Sequence, residues 1–197
     1  MKALKGSKTL ENLMKAFAGE SQARNRYYFY AGIAGKEGYR QIENIFIETA
    51  ENERLHAKRF FKLLADGLNG SMPAGITVNT DYPVALGTTL ENLKAGAAGE
   101  NEEWNKLYPE FARVADSEGY PEAAAAFRMI AKAEERHEIR YNRLADNVAN
   151  GKVFRKDGKT LWKCQKCGYI HEGDSAPETC PSCLHKQEYF EVFVETY

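Results

Sequence analysis

No cysteine occurs before position 164, and that absence sets the first limit on this chain. A disulfide scaffold running along its length is excluded. All four cysteines lie in the last 34 residues as two Cys-x-x-Cys pairs. In a cytosolic chain that arrangement points to metal rather than to disulfides. Apolar runs near the roughly 18–20 residues of a membrane span are also missing, so no transmembrane helix is expected. Charge of one sign is missing too. Lys and Arg number 27 against 28 Asp and Glu, a formal net charge of −1, which gives no electrostatic case for nucleic acid. No Gly-rich dinucleotide fingerprint occurs, so the chain itself should not bind nicotinamide. The first eight residues are basic but carry no apolar core or cleavage site, so they do not read as a secretory signal. The expectation is a soluble cytoplasmic protein of 197 residues, long enough for one sizeable domain plus a small one.

What is there is a repeat. Glu53-Arg54-Leu55-His56 is matched 81 residues later by Glu134-Glu135-Arg136-His137. Phe46, Ala50, Arg59, Asn69 and Gly70 recur as Phe127, Ala131, Arg140, Asn150 and Gly151. Upstream, Thr9-Leu10-Glu11-Asn12-Leu13 recurs as Thr89-Leu90-Glu91-Asn92-Leu93, and Ala18-Gly19-Glu20 as Ala98-Gly99-Glu100. Residues 1–150 therefore read as two copies of one helical hairpin. Helices are expected over about 8–35, 41–68, 88–117 and 121–149. Thr9 and Thr89 stand near N-caps, glycines 35, 38, 70 and 119 at turns, and Pro121 in a first turn. Glu20 and Glu53 are equidistant from the first turn, and Glu100 and Glu134 from the second, so each pair can meet across its hairpin. Glu and His at i and i+3 share a helix face.

Between the hairpins, residues 66–87 hold four glycines, two prolines and no helical period. So long a loop is uncommon unless it must cover distance. Run along the bundle, it would make the second and third helices parallel. One long crossover is the ferritin-like topology, whose di-metal members use a Glu from two helices and Glu-x-x-His from the other two. Glu20, Glu100, Glu53 with His56, and Glu134 with His137 fill those places. The two copies differ by one residue inserted between Glu100 and about Ala115, inside a continuous helical pattern, and such an insertion suggests a π-bulge. Glu103 lies there, three residues past Glu100, where the first copy has Ala23. It is a seventh candidate ligand that breaks the symmetry.

A lone Glu-x-x-His is more often a solvated surface pair. Two in register with matched upstream glutamates are not, because buried glutamates are rare unless paired or metal-bound. Glu11, Glu43, Glu48, Glu51, Glu102, Glu135 and Glu138 read as solvated charge, as do Arg24, Arg54 and Arg136. Tyr27 and Tyr108, about two turns past Glu20 and Glu100, read either as core filler or as hydrogen-bond partners of ligand carboxylates or of a bound oxidant.

Residues 151–197 change texture to short β-type runs. Residues 152–155 and 160–163, around Asp157-Gly158, read as a hairpin, and 189–193 as a closing strand. Cys164, Cys167, Cys180 and Cys183 make a four-thiolate site, without which so small a domain could hardly fold. Spacing does not separate zinc from iron, but a redox-capable neighbour favours iron. His171 and His185 read as surface residues.

These residues together resemble the rubrerythrin family over nearly the whole chain: the seven ligands, Tyr27 and Tyr108, and Cys-x-x-Cys-Gly-Tyr followed by Cys-Pro-x-Cys. The resemblance implies a mainly α fold, a ferritin-like four-helix bundle with a long crossover followed by a small β-rich rubredoxin-like domain. It implies two non-haem irons in the bundle and one iron on the four cysteines. It implies a cytoplasmic peroxidase of anaerobic or microaerophilic cells that reduces hydrogen peroxide to water. Electrons would enter through the cysteine-bound iron from an external donor, a rubredoxin or an NAD(P)H-dependent reductase. By the same analogy Glu53 and Glu134 bridge the irons, Glu20 and Glu100 are terminal, and His137 holds one iron. The other iron exchanges Glu103 for His56, and a head-to-tail homodimer pairs each tetrathiolate with the partner's di-iron site. The rival reading is a ferroxidase or iron-storage protein, which would need no electron-transfer domain.

Overall fold

A computed structural model describes residues 3–68 and 75–196; Asn69 and the expected turn residue Gly70 lie outside the described residues. Among the described residues the first unit is a bundle of four long helices. These are α1 (Lys8–Lys36), α2 (Arg40–Gly67), a third helix in three parts, and α5 (Pro121–Ala149). The third consists of α3 (Thr89–Glu102), a π-helical segment (Glu103–Leu107) and α4 (Tyr108–Glu118). The boundaries fall within a residue of those expected, and the inserted residue is absorbed as a π-bulge. Pro109 helps: lacking an N–H, it loses no bond when the register changes there.

The helix starts differ in detail from the expectation. Ser7, not Thr9, caps α1 through Oγ to the Leu10 N–H, and Thr88, not Thr89, caps α3 in a capping box with Glu91. Thr9 and Thr89 are instead the residues whose N–H groups bond carboxylates from elsewhere in the bundle. Glu118 accepts from Thr9 at 2.8 Å and Glu37 from Thr89 at 3.0 Å. Each glutamate precedes a glycine at φ +81°, Gly38 or Gly119, whose left-handed backbone turns the chain into the next helix.

The described part of the crossover follows α1. Gly67 at the end of α2 accepts from the Leu4 N–H, Tyr82 bonds the Lys15 carbonyl, and Ala85 accepts from Tyr30. Thr89 then meets Glu37 at the far end of α1. So α2 and α3 are parallel, as expected.

Two apolar layers fill the bundle. One gathers Leu13, Phe60, Leu63, Tyr108 and Phe127; the other gathers Tyr27, Tyr30, Phe46, Leu93 and Tyr141. On each helix the sequence passes from one layer to the other through a buried glutamate. These are Glu20, Glu53, Glu100 and Glu134, at most 1 % exposed.

In the C-terminal unit a three-stranded sheet has order β2-β1-β3, with β1 Arg155–Cys164, β2 Ile170–Ser175 and β3 Phe190–Val192. The expected hairpin around Asp157-Gly158 is corrected here. That stretch is a bulge inside β1, where the register jumps from Arg155↔Ser175 to Thr160↔Gly173. The true hairpin joins β1 to β2 around the first cysteine knuckle, and metal-site geometry overrode the turn signal. Trp162 is fully buried under Cys164, Cys180 and Phe190. This unit rests on the α1–α2 end of the bundle: Tyr39 stacks on Phe154 with centroids 6.3 Å apart, and Arg40 bonds Glu188 at 3.2 Å. Among the described residues no helix is long and apolar enough to cross a membrane.

Candidate metal centres

The bundle brings six of the seven expected ligands into two overlapping groups, each with ligand atoms within 4.8 Å of one another. Glu20, Glu53, His56 and Glu134 form one group; Glu53, Glu100, Glu134 and His137 form the other. The shared members face both ways. Glu53 sets Oε2 2.9 Å from His56 Nδ1 and Oε1 3.2 Å from His137 Nδ1. Glu134 sets Oε1 2.9 Å from His56 Nδ1 and Oε2 2.9 Å from His137 Nδ1. Glu20 stands on the His56 side at 3.9 Å and Glu100 on the His137 side at 3.7 Å.

The chemistry of this donor set fits two cations. Among the described residues Oε2 of Glu20, Oε1 of Glu53, Oε2 of Glu100, both oxygens of Glu134 and Nδ1 of His137 are buried with no well-formed hydrogen bond, only the close carboxylate–imidazole approaches above. Orphaned acceptors in an apolar interior are costly, yet here they converge, as coordination requires. Burial, then the charge of Glu134, pushes Glu20 well above the ordinary carboxylate value; burial, then Glu53, pushes Glu100 up to about 8. For Glu53 burial acts the same way but is outweighed by the adjacent imidazoles of His137 and His56, and the net shift is downward.

Both tyrosines singled out from the sequence touch a terminal carboxylate of the opposite hairpin. Tyr27 donates to Glu100 Oε1, and Tyr108 donates to Glu20 Oε1 at 2.5 Å. Burial first, then neighbouring carboxylates, raises both phenols well above their ordinary value, so they stay protonated donors.

Glu103 is not in either group. Its half-buried carboxylate rests against α1 at Gly19, 3.6 Å from where a Cβ would stand, beside Glu20. A cavity of about 160 Å³ opens there under Tyr82 and Pro83 of the crossover, with Arg26 and Tyr108 in its wall. Burial, then Glu100, raises Glu103 well above the ordinary value.

Two supporting contacts had no sequence signal. His137 Nε2 lies 3.2 Å from Asn52 Oδ1. Glu138, read as solvated charge, in fact accepts from Trp104 Nε1 at 2.5 Å and Asn101 Nδ2 at 3.1 Å, which ties the π-segment to α5. Only its place opposite the inserted turn could have hinted at this.

The four cysteine sulfurs also lie within 4.8 Å of one another. Cys164 and Cys183 are 3.7 Å apart, and Cys167 and Cys180 are 3.6 Å apart. A tetrahedron of roughly 2.3 Å metal–sulfur bonds has edges of about 3.8 Å, whereas a disulfide needs about 2.05 Å. The backbone N–H of Tyr169 pulls the Cys167 thiol down to about 6. His185, exposed as expected, sets Nδ1 3.3 Å from Cys183 Sγ.

A helical bundle that converges four glutamates and two histidines, joined to a tetrathiolate domain, defines a class: a ferritin-like di-metal carboxylate protein with a rubredoxin-like domain. A family model described as rubrerythrin matches residues 11–145, and one described as the rubrerythrin rubredoxin-like domain matches residues 162–191. Rubrerythrin-1 of Clostridium acetobutylicum is 61 % identical over all of both chains. Rubrerythrin of Nitratidesulfovibrio vulgaris is 50 % identical over 98 % of this chain and 97 % of its own. A partially reduced nigerythrin structure is 31 % identical with a TM-score of 0.63, covering 98 % of this chain and 92 % of the other. The chain belongs to the rubrerythrin family. It is an iron protein with a di-iron site in the bundle and a rubredoxin-like iron site on its four cysteines.

Proposed function

We propose that this protein is a cytoplasmic peroxidase that turns H2O2, two protons and two electrons into two waters, in defence against oxidative stress. Residues 1–150 form its di-iron unit and 151–197 its electron-delivering unit. One observation carries the reading: a buried carboxylate–histidine cluster and a four-thiolate cluster lie in one chain. An enzyme that consumes an electron pair per turnover needs a one-electron relay, and a storage vessel does not.

Bound iron supplies the electrons and the Lewis acidity; the protein supplies the rest. Glu53 and Glu134, each with one oxygen toward each histidine, would be the carboxylates that serve both irons. Glu20 and Glu100, held by Tyr108 and Tyr27, would each serve one iron. His137 would be a permanent ligand, and His56 and Glu103 would be alternative ligands for one position. Glu103, whose carboxyl burial shifts toward the protonated form, stands at the wall of the cavity, and the phenols of Tyr27 and Tyr108 hold protons at the carboxylates. Buried apolar layers on both sides keep bulk water from the cluster.

Within one chain the relay is distant. Asn44, which touches Gln165 next to Cys164, lies nine residues before Glu53, about 14 Å along α2. A head-to-tail homodimer gives a shorter route to the partner's carboxylate cluster, and a rubredoxin or NAD(P)H-dependent reductase reloads the relay. The test is anaerobic stopped-flow absorbance of the reduced, iron-loaded protein against one equivalent of H2O2, then against O2. Fast oxidation by peroxide, with turnover sustained by an electron donor, supports the proposal. Faster reaction with O2, with ferric iron accumulating beyond three per chain, replaces it with ferroxidase and storage.

A further inference from the structure

The two histidines of the repeat are equivalent in sequence but not in surroundings. With His137 Nδ1 turned to Glu53, Glu100 and Glu134, its outer Nε2 carries the proton and donates to Asn52 Oδ1 at 3.2 Å. An outer hydrogen bond of this kind fixes the tautomer, rotation and basicity of a metal-bound imidazole. The 81-residue repeat puts Ala133 at the position equivalent to Asn52, and a methyl group accepts no hydrogen bond. Among the described residues every hydrogen bond and ion pair of His56 runs through Nδ1. Its side chain is 16 % exposed against 8 % for His137. The spare carboxylate stands on the same half of the cluster: Glu103 lies against Gly19 beside Glu20, the terminal glutamate of the His56 group.

We infer that Asn52 is a positioning residue that pins His137 as the permanent ligand, and that Ala133 withholds the same bond from His56 and leaves that ring free to yield its place to Glu103. This rests on the ligand exchange proposed above. The direction of exchange is then set by one amide that the duplication did not keep in both copies.

The test uses full-length, iron-loaded wild type, Ala133→Asn and Asn52→Ala. X-ray absorption counts imidazoles at iron in the reduced and oxidised states, and redox titration gives the di-iron midpoint. Wild type should fall from two imidazoles to one on oxidation. Ala133→Asn should keep both, and its midpoint should rise because the ligand set of the reduced state is retained. Asn52→Ala should bind Co(II) at the His137 half about 10–100-fold more weakly, with Asn52→Asp restoring it. Normal loss of an imidazole in Ala133→Asn, or unchanged Co(II) affinity in Asn52→Ala, overturns the inference. A wild type with the same imidazole count in both states overturns the exchange and this inference together. Peroxide kinetics enter none of these readouts, so failure of the peroxidase reading is separately visible.

Discussion

Removing the metals should invert the pH dependence of stability. In the metal-free bundle, burial opposes charge on both imidazoles, but the carboxylates around them win. Glu134 and Glu53 hold His56 up to about 10, and Glu100, Glu134 and Glu53 hold His137 up to about 12. Burial, then Glu53, holds Glu100 up to about 8. The ordinary values are 6.5, 6.5 and 4.5, so all three shifts are upward and the folded state binds more protons than the unfolded one from pH 7 to 9. Stability falls with rising pH wherever the native state holds the extra protons. The downward shift of Glu53 acts below pH 4.5, outside this window; that of Cys167, down to about 6, opposes the trend within it but offsets at most one proton, in the C-terminal unit.

Each net proton changes stability by about 1.4 kcal/mol per pH unit. These groups share carboxylates and do not add in full; one net proton removes about 3 kcal/mol between pH 7 and 9. A domain has only about 5–15 kcal/mol in total. Bound metal replaces the protons, adds about 2.7 kcal/mol per site at a hundredfold excess over Kd, and binds more tightly as the ligands deprotonate. Urea unfolding followed by helical circular dichroism at pH 6.5, 7.5, 8.5 and 9.5 checks this on chelator-treated and Co(II)-loaded protein. The metal-free midpoint should decline across the series and the loaded one should not. A metal-free midpoint that is flat or rises from pH 7 to 9 refutes the view of the cluster as a cation site filled by protons.

Glu103→Gln should slow peroxide-driven oxidation about 100-fold or more, as loss of a general acid does, while the visible band of the tetrathiolate iron is unchanged. Cys180→Ala should abolish that band and end steady-state turnover, yet leave the first reaction of reduced di-iron with peroxide intact in stopped flow. Glu118→Ala should cost about 1–2 kcal/mol in urea unfolding, since the N–H groups of Lys8 and Thr9 and the Thr9 hydroxyl all lose an acceptor. Glu37→Ala removes one such bond, to Thr89, and should cost about half as much.

The bundle was legible because duplication repeats its information. Each helix boundary and each inward glutamate is stated twice, and the single-residue offset between copies located the π-segment. The crossover was legible from composition plus the need to cover distance. Contacts made once, or between copies, were not. Glu37 and Glu118 sit in visibly matched Glu-Gly-Tyr runs, but nothing local says that each caps a helix start from the other hairpin. Glu138 looks solvated on a helical wheel, because its partner Trp104 is reached only through the inserted turn. In the C-terminal unit, Asp157-Gly158 is a sound turn signal, and the chain uses it for a bulge because β1 must run on to present Cys164 and Cys167.

The departures from the repeat bear most directly on function. A symmetric pair of hairpins builds two equal halves, Glu20 and His56 against Glu100 and His137, with Glu53 and Glu134 shared. Equal halves give no reason for one metal to change ligands and the other to stay. Three departures break the tie: Glu103 against Ala23, one inserted residue that re-aims Glu103 toward Gly19, and Asn52 against Ala133. All three act in the same sense. They hold the His137 half still and give the His56 half a looser ring, a spare carboxylate and a neighbouring cavity beside Glu103.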